Sequence, residues 1–280
     1  MLRNELTPTV RSIQPQTQKE ERGHLRQVQK SEVFYTKESI ELRFSLEELL
    51  YHEQMYGKGF QSVLSKELLQ EICTDYKLVQ NTERFKVLDL GCGGGGTLRC
   101  FESLFGKVQT FGLDQSEDAV ILSRFRTKRT QFVQGDTQKL DTFAPSSFNL
   151  IWCCDVGMYI KDKRSWLKNM RSWLRPGGQL VLLDYGIGSE NVSLELQEYI
   201  DKKGYHFLTL ADYVSLLREQ DFGSALAMDQ TEFFAHKLEA QLNTKRKKDR
   251  KLVERWQQKI KMSQEGELRW HQIICKKSQY

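Results

Sequence analysis

Along the 280-residue chain, apolar and polar positions change their rhythm more than once, and each change predicts a different element. The first 30 or so residues are polar almost throughout. The stretch after them, SIELRFSLEELLYHEQMYGKGF, carries apolar residues at mixed helical spacing until Gly57 and Gly59 break it, which predicts a helical cap. From Lys86 onward short β-rich runs alternate with helical sequence: KVLDL, VQTFGL, TQFVQ, NLIWCC and QLVLLDY. Such alternation predicts parallel strands joined by right-handed crossovers, the α/β class. The unbroken apolar character of NLIWCC and QLVLL marks them as central strands buried on both faces. After Asp184 the rhythm becomes helical: SLELQEYIDKKGY and LADYVSLLREQDF read as two amphipathic helices, with Gly204 stopping the first. SALAMDQ then reads as a strand, 231–262 as one long helix and RWHQIICKK as a last strand.

Composition narrows the class. Hydrophobic residues make up 39% and charged residues 28%, enough for one sizeable core, with no apolar run of the ~18–20 residues that a membrane span needs. The N-terminal sequence lacks the apolar centre of a secretory signal, so a soluble, cytoplasmic protein with a polar, partly disordered tail at 1–45 is expected. The six cysteines have no zinc-ligand spacing, and the adjacent pair Cys153 and Cys154 is ill placed for a disulfide framework, so reduced thiols and no metal are expected. Much of the net charge of +5 sits in TKRKKDRK at 244–251. No aromatic residue interleaves with it to stack bases, so a solvated helix face is the better reading than a nucleic-acid patch. Neither a nucleic-acid nor a membrane partner is expected, and the chain is read as a monomer.

The run VLDLGCGGGG places a strand directly before a glycine cluster, so that backbone at Gly91, Gly93 and Gly95 can approach a nucleotide-like ligand closely. A glycine-rich turn alone also occurs as a tight turn or in dehydrogenases. The acids around it discriminate. Asp89 lies at the strand end before the first glycine, Asp114 closes the next strand, where a carboxylate can accept both ribose hydroxyls, and Asp136 follows the third, where an adenine amino group could be read. Each acid taken singly could be a surface or capping residue; carboxylates at successive strand ends are harder to explain that way.

This set resembles the class I S-adenosylmethionine-dependent methyltransferases, whose loop follows DxGxG and whose later segment is similar to WLRPGGQLVLLDY at 173–185. The resemblance implies a Rossmann-like, mostly parallel seven-stranded sheet over 46–280, with an N-terminal helical cap and a helical substrate lid at about 187–222. The flanks sharpen it: HEQMYGKGFQS, EYIDKKGYHFLTLADYVSLLREQDF, the W-x-x-K of Trp256 to Lys259 and EGELRW at 265–270 look like the phosphoethanolamine N-methyltransferases. That resemblance implies a cofactor site of Ser62, Asp89, Gly91, Gly93, Asp114, Gln115, Asp136, Thr137 and Cys154. It further implies Asp155 against the substrate amine, and Tyr185, Lys203, Tyr205 and Lys259 around the phosphate. Two departures stand out. Lys203 replaces an arginine, keeping charge but losing the bidentate fork. Tyr159 replaces a histidine that is latched to an N-terminal tyrosine, for which Tyr35 is the candidate here.

The expected chemistry agrees with a phosphobase. An ammonium cannot attack a methyl group until it loses a proton, and Asp155 with Tyr159 nearby is placed to take it. Lys203 and Lys259 would neutralise a phosphate, with the Tyr185 and Tyr205 hydroxyls donating to it. Taken without the resemblance, Tyr185 and Tyr205 read equally as core aromatics and Lys203 as a helix-end cation. The alternatives are a methyltransferase for another small amine or a macromolecule, and a cofactor-binding protein without turnover.

Overall fold

The computed structural model describes residues 43–245 and 250–278. Tyr35 and most of the 1–45 tail lie outside them, as do residues 246–249 of the charged run. The chain opens with helices α1 (Leu46–Tyr56) and α2 (Lys66–Asp75), each started by a serine, Ser45 or Ser65, whose hydroxyl accepts the backbone N–H three residues on. Strands and helices then alternate: β1 (Lys86–Leu90), α3 (Gly96–Leu104), β2 (Gln109–Asp114), α4 (Glu117–Arg126), β3 (Gln131–Gln134), β4 (Phe148–Cys154), α5 (Lys163–Trp173) and β5 (Leu174–Ile187). Helices α6 (Leu194–Lys203) and α7 (Leu210–Glu219) follow, then β6 (Leu226–Asp229), α8 (Thr231–Lys245), α9 (Arg250–Gln264) and β7 (Leu268–Lys276).

The sheet runs β3-β2-β1-β4-β5-β7-β6, with β1 to β5 parallel and β7 antiparallel to both its neighbours. Its middle strands are apolar because helices cover both faces: Val87, Leu88, Leu90, Leu150, Ile151, Trp152, Leu180 and Val181 are all fully buried. The strand order reverses between β1 and β4, so the carboxyl ends of these strands open a crevice there. Asp89, Asp114 and Cys154 all lie at that edge.

The expected strands and the helices before and after Gly204 are where the sequence puts them, and Gly204 caps α6 in the left-handed conformation. The single helix expected at 231–262 is instead two, α8 and α9, packed against each other. One unbroken helix of that length would run about 48 Å, past the sheet it must cover. Folding back lets Phe234 and Leu238 of α8 and Trp256 and Ile260 of α9 join one core.

The cap is tied to the glycine turn. Arg126 of α4 makes a buried ion pair with Glu53 of α1 and donates to the Gly94 carbonyl at 3.2 Å. Gly96 donates to the Gly59 carbonyl at 3.0 Å, and a Cβ on Gly59 would come within 2.7 Å of the Gly96 backbone. Glycine is required at 59 by that approach.

Candidate active site

The turn after β1 is shaped by glycine. Gly91 has φ of +74°, and a Cβ there would stand 2.3 Å from Cγ2 of Val156, so the turn and the loop after β4 close on each other only without a side chain. Beside it the Asp114 carboxylate organises the backbone. Its Oδ2 accepts from Gly93 N–H and its Oδ1 from Ser116 N–H, both at 2.9 Å, which leaves lone pairs of each oxygen for a diol. Burial raises its pKa, and these backbone donors oppose the rise.

Asp89 is buried, and its Oδ2 has no hydrogen-bond partner. Burial first, then the neighbouring Asp114 charge, push its pKa up to about 8, against a hydrogen bond from Thr97. A buried acceptor left open in this way fits a cationic or N–H group of a ligand on the glycine turn. Gln115 is exposed and Thr137 is buried. Oδ1 of Asp136 accepts the Gln138 N–H at 2.9 Å, so one oxygen of this acid holds its own turn.

Past β4 the chain turns sharply. Asp155 adopts φ of +56°, in the left-handed region where residues with a side chain are strained, and its N–H is held by the Leu183 carbonyl at 2.7 Å. Oδ1 accepts from the Trp270 indole at 2.9 Å, and the Ser62 hydroxyl also hydrogen-bonds the carboxylate. Ser62 Oγ lies 3.4 Å from Cys154 Sγ, which joins the cap to the end of β4. Burial and Asp184 raise Asp155 to about 7, while Trp270, Lys259 and Ser62 pull it down. Its charge is felt at Tyr56, Tyr185, Tyr205 and Lys259, so these groups gather around it.

Lys259 of α9 donates to the Tyr185 hydroxyl at 2.8 Å, with Nζ 4.6 Å from the ring centroid. Burial lowers its pKa to about 8. The hydroxyls of Tyr159 and Tyr199 both hydrogen-bond Tyr205, whose ring stacks on Phe207 at 5.2 Å. Lys203 closes α6 among cations: Arg255, Arg43 and Lys202, after burial, lower its pKa. The cluster thus combines the Asp155 carboxylate with aromatic faces, tyrosine hydroxyls and the Lys259 ammonium, with Lys203 acting on Lys259.

The structure brings together Ser62, Cys154 and Asp155, then Tyr185 with Lys259, then Tyr159 with Tyr205. Among the described residues two rings meet Tyr159 edge-on, Phe44 at 5.5 Å and Tyr205 at 5.4 Å, and only the second carries a hydroxyl. Residues missed in the sequence are Tyr56, Tyr199, Arg255, Arg43 and Trp270. Tyr56, Tyr199 and Trp270 stand inside the segments that carry the family resemblance, and Arg255 stands one helical turn before Lys259 on the same face.

Residues 88–182 match a family model described as a methyltransferase domain. A solved structure of Haemonchus contortus phosphoethanolamine N-methyltransferase 2, with phosphomonomethylethanolamine and S-adenosylhomocysteine, superposes with a TM-score of 0.77 at 20% identity, over 85% of this chain and 58% of that one. The fold is similar to that of class I, Rossmann-like methyltransferases. Within that class the chain resembles the phosphoethanolamine N-methyltransferases. It is 29% identical to phosphoethanolamine N-methyltransferase 1 of Triticum aestivum, over 82% of this chain and 48% of that protein. To the Plasmodium falciparum enzyme of the same name it is 25% identical, over 78% of this chain and 87% of that protein. The chain spans about half the length of the plant relatives it matches. No helix among the described residues is long and apolar enough to cross a membrane.

Proposed function

We propose that this chain transfers a methyl group from S-adenosylmethionine to the amine of phosphoethanolamine or its methylated intermediates, as a cytoplasmic monomer. The observation that carries the reading is one cluster past β4 that holds both a carboxylate, Asp155, and cations, Lys259 with Lys203 acting on it, beside tyrosine hydroxyls. A zwitterion with an amine and a phosphate a few bonds apart is the small molecule that matches both charges. Relatives that share the name of this activity support it.

When bound, S-adenosylmethionine supplies an electrophilic methyl on a sulfonium. Asp89 would accept from its amino group and Asp114 from its ribose hydroxyls, while Gly91 and Gly93 let the backbone approach. Asp136, Thr137, Gln115, Ser62 and Cys154 would line the remainder of that pocket. Asp155 holds the substrate ammonium and takes its proton, which exposes the nitrogen lone pair for in-line attack. Tyr159, whose hydroxyl bonds to Tyr205, would assist in proton removal. The methylated nitrogen regains positive charge, and the faces of the surrounding aromatic rings together with the carboxylate favour it. Lys259 and Lys203 neutralise the phosphate, with the Tyr185 and Tyr205 hydroxyls donating to it.

The test offers a methyl-labelled donor with phosphoethanolamine, its mono- and dimethyl forms and free ethanolamine. Label is expected in the phosphobases and not in ethanolamine. Equal labelling of ethanolamine would remove the reason for phosphate-binding groups and sink the proposal.

A further inference from the structure

We infer that Asp184 is a positioning residue for the substrate, the buried joint that sets Tyr159, Tyr185 and Tyr205 relative to one another; the inference rests on the phosphobase reading and deepens it. Asp184 lies inside β5, one residue before Tyr185, and is buried. Its Oδ1 accepts two backbone N–H groups, that of Tyr185 at 3.0 Å and that of Met158 at 3.2 Å, and its Oδ2 accepts the hydroxyl of Tyr213 from α7. Three segments of the chain therefore converge on one carboxylate. Gly157 shows how closely they do so, since a Cβ there would stand 2.5 Å from the Tyr213 hydroxyl and nearer still to the carboxylate.

The same turn is held from its other side. The Met158 carbonyl accepts the His206 N–H at 2.8 Å, and Lys163, the first residue of α5, donates from Nζ to the carbonyls of Ile160, at 2.9 Å, and His206. Lys163 is itself buried, and the Asp184 charge favours its ammonium form. Three members of this network are chain neighbours of the tyrosines assigned to the substrate: Met158 precedes Tyr159, Asp184 precedes Tyr185 and His206 follows Tyr205. A backbone pinned at one residue leaves its neighbour little besides side-chain rotation. Burying a carboxylate and an ammonium together is costly, and apolar groups of the same volume would often serve stability as well. What the charged pair supplies is direction: a set of bonds that fixes three separate segments in one arrangement. Asp184 thus acts on the substrate through the tyrosines beside it.

A joint that serves stability alone is the rival explanation. In the full chain, D184A, D184N and Y213F would be assayed for phosphoethanolamine KM and kcat, for S-adenosylhomocysteine Kd by calorimetry and for Tm. D184A offers the two N–H groups no acceptor, D184N keeps an oxygen for both, and Y213F removes one hydroxyl from a buried ring whose packing remains. D184A should lose about 10- to 100-fold in kcat/KM, the scale of a misplacement of about 1 Å, with KM raised and the S-adenosylhomocysteine Kd unchanged. D184N should recover most of that loss, and Y213F should show a smaller part of it at nearly unaltered Tm. Unchanged phosphobase KM and kcat in Y213F, with D184A either unfolded or equally unchanged, would make Asp184 a packing residue and overturn the inference. D184N as impaired as D184A would trace the loss to the charge facing Lys163 rather than to the backbone bonds, and overturn it as well. Equal wild-type turnover of free ethanolamine would sink the phosphobase reading alone, since the variants would still be compared on whichever amine is used.

Discussion

The indole N–H of Trp270 points at Asp155, donating to Oδ1 at 2.9 Å across 115 positions of sequence. This bond exists because β7 runs antiparallel beside β5 and pairs Trp270 with Tyr185, bringing the last strand against the loop after β4. Trp270 is fully buried and its ring stacks near Phe234, so its orientation is fixed by packing. It steadies the ionised form of a carboxylate that burial would otherwise keep protonated. Trp270→Phe preserves most of the packing and removes the donor. The acidic limb of the kcat profile should then move to higher pH, with activity at alkaline pH retained. Asp155→Asn should lose about 10²- to 10⁴-fold in kcat at every pH, the range expected for a lost general base. A wild-type acidic limb in Trp270→Phe would separate this bond from catalysis.

The pH profile of the unaltered chain follows from the same cluster. In the proposed mechanism Asp155, raised to about 7, ionises to take the substrate proton, so kcat/KM should rise as pH climbs through that value. Lys259, lowered to about 8, loses its charge above it, so affinity for a phosphate should fall on the alkaline side. A bell with its maximum between these values is expected, measured as kcat/KM against pH at fixed ionic strength. Lys259→Met should flatten the alkaline limb while raising KM. A profile still rising at pH of about 10, the ordinary lysine range, would mean that Lys259 keeps its proton.

Gly91 and Val156 supply a structural test. Gly91→Ala introduces a Cβ 2.3 Å from Cγ2 of Val156 and asks alanine to hold φ of +74°. The backbone part alone costs about 1–2 kcal/mol, and the clash adds to it. Val156→Ala in the same chain should relieve the clash and leave the backbone cost. Denaturant unfolding of the single and double variants measures the two parts. Equal stability of Gly91→Ala and the unaltered chain would show that the turn opens freely.

Local pattern carries the sheet and the half of the site that sits on it. Asp89 and Asp114 lie in apolar runs, so each acid is assigned to a strand end by its own neighbours along the chain, whereas Asp155 is singled out by the family resemblance. Trp270, Tyr56 and Arg43 have no such assignment, because each reaches the cluster through a tertiary contact that leaves no periodic mark. Tyr56 stands in a helix and meets Trp256 at 5.6 Å, two hundred positions away. The break between α8 and α9 is hidden for a related reason. The sequence at 231–262 holds neither proline nor glycine, the residues that announce a stop, so the fold-back is set by what the two apolar faces must bury.

Asp89 offers a final prediction, because its open acceptor links cofactor binding to a proton. Burial raises its pKa from 3.8 to about 8, so at neutral pH the free protein holds a proton there. The folded value lies above the unfolded one, so this group's contribution to stability is complete below about pH 4 and is lost as pH rises through about 8. A cationic amino group of S-adenosylmethionine beside Oδ2 favours the carboxylate and lowers that pKa, so binding at neutral pH should release close to one proton. Calorimetry of S-adenosylhomocysteine binding in buffers of different ionisation enthalpy reads the number directly. Asp89→Asn keeps the shape without the titration, and should bind more weakly while releasing none. Release undiminished in that variant would assign the proton to another group, with Asp114 the next to examine.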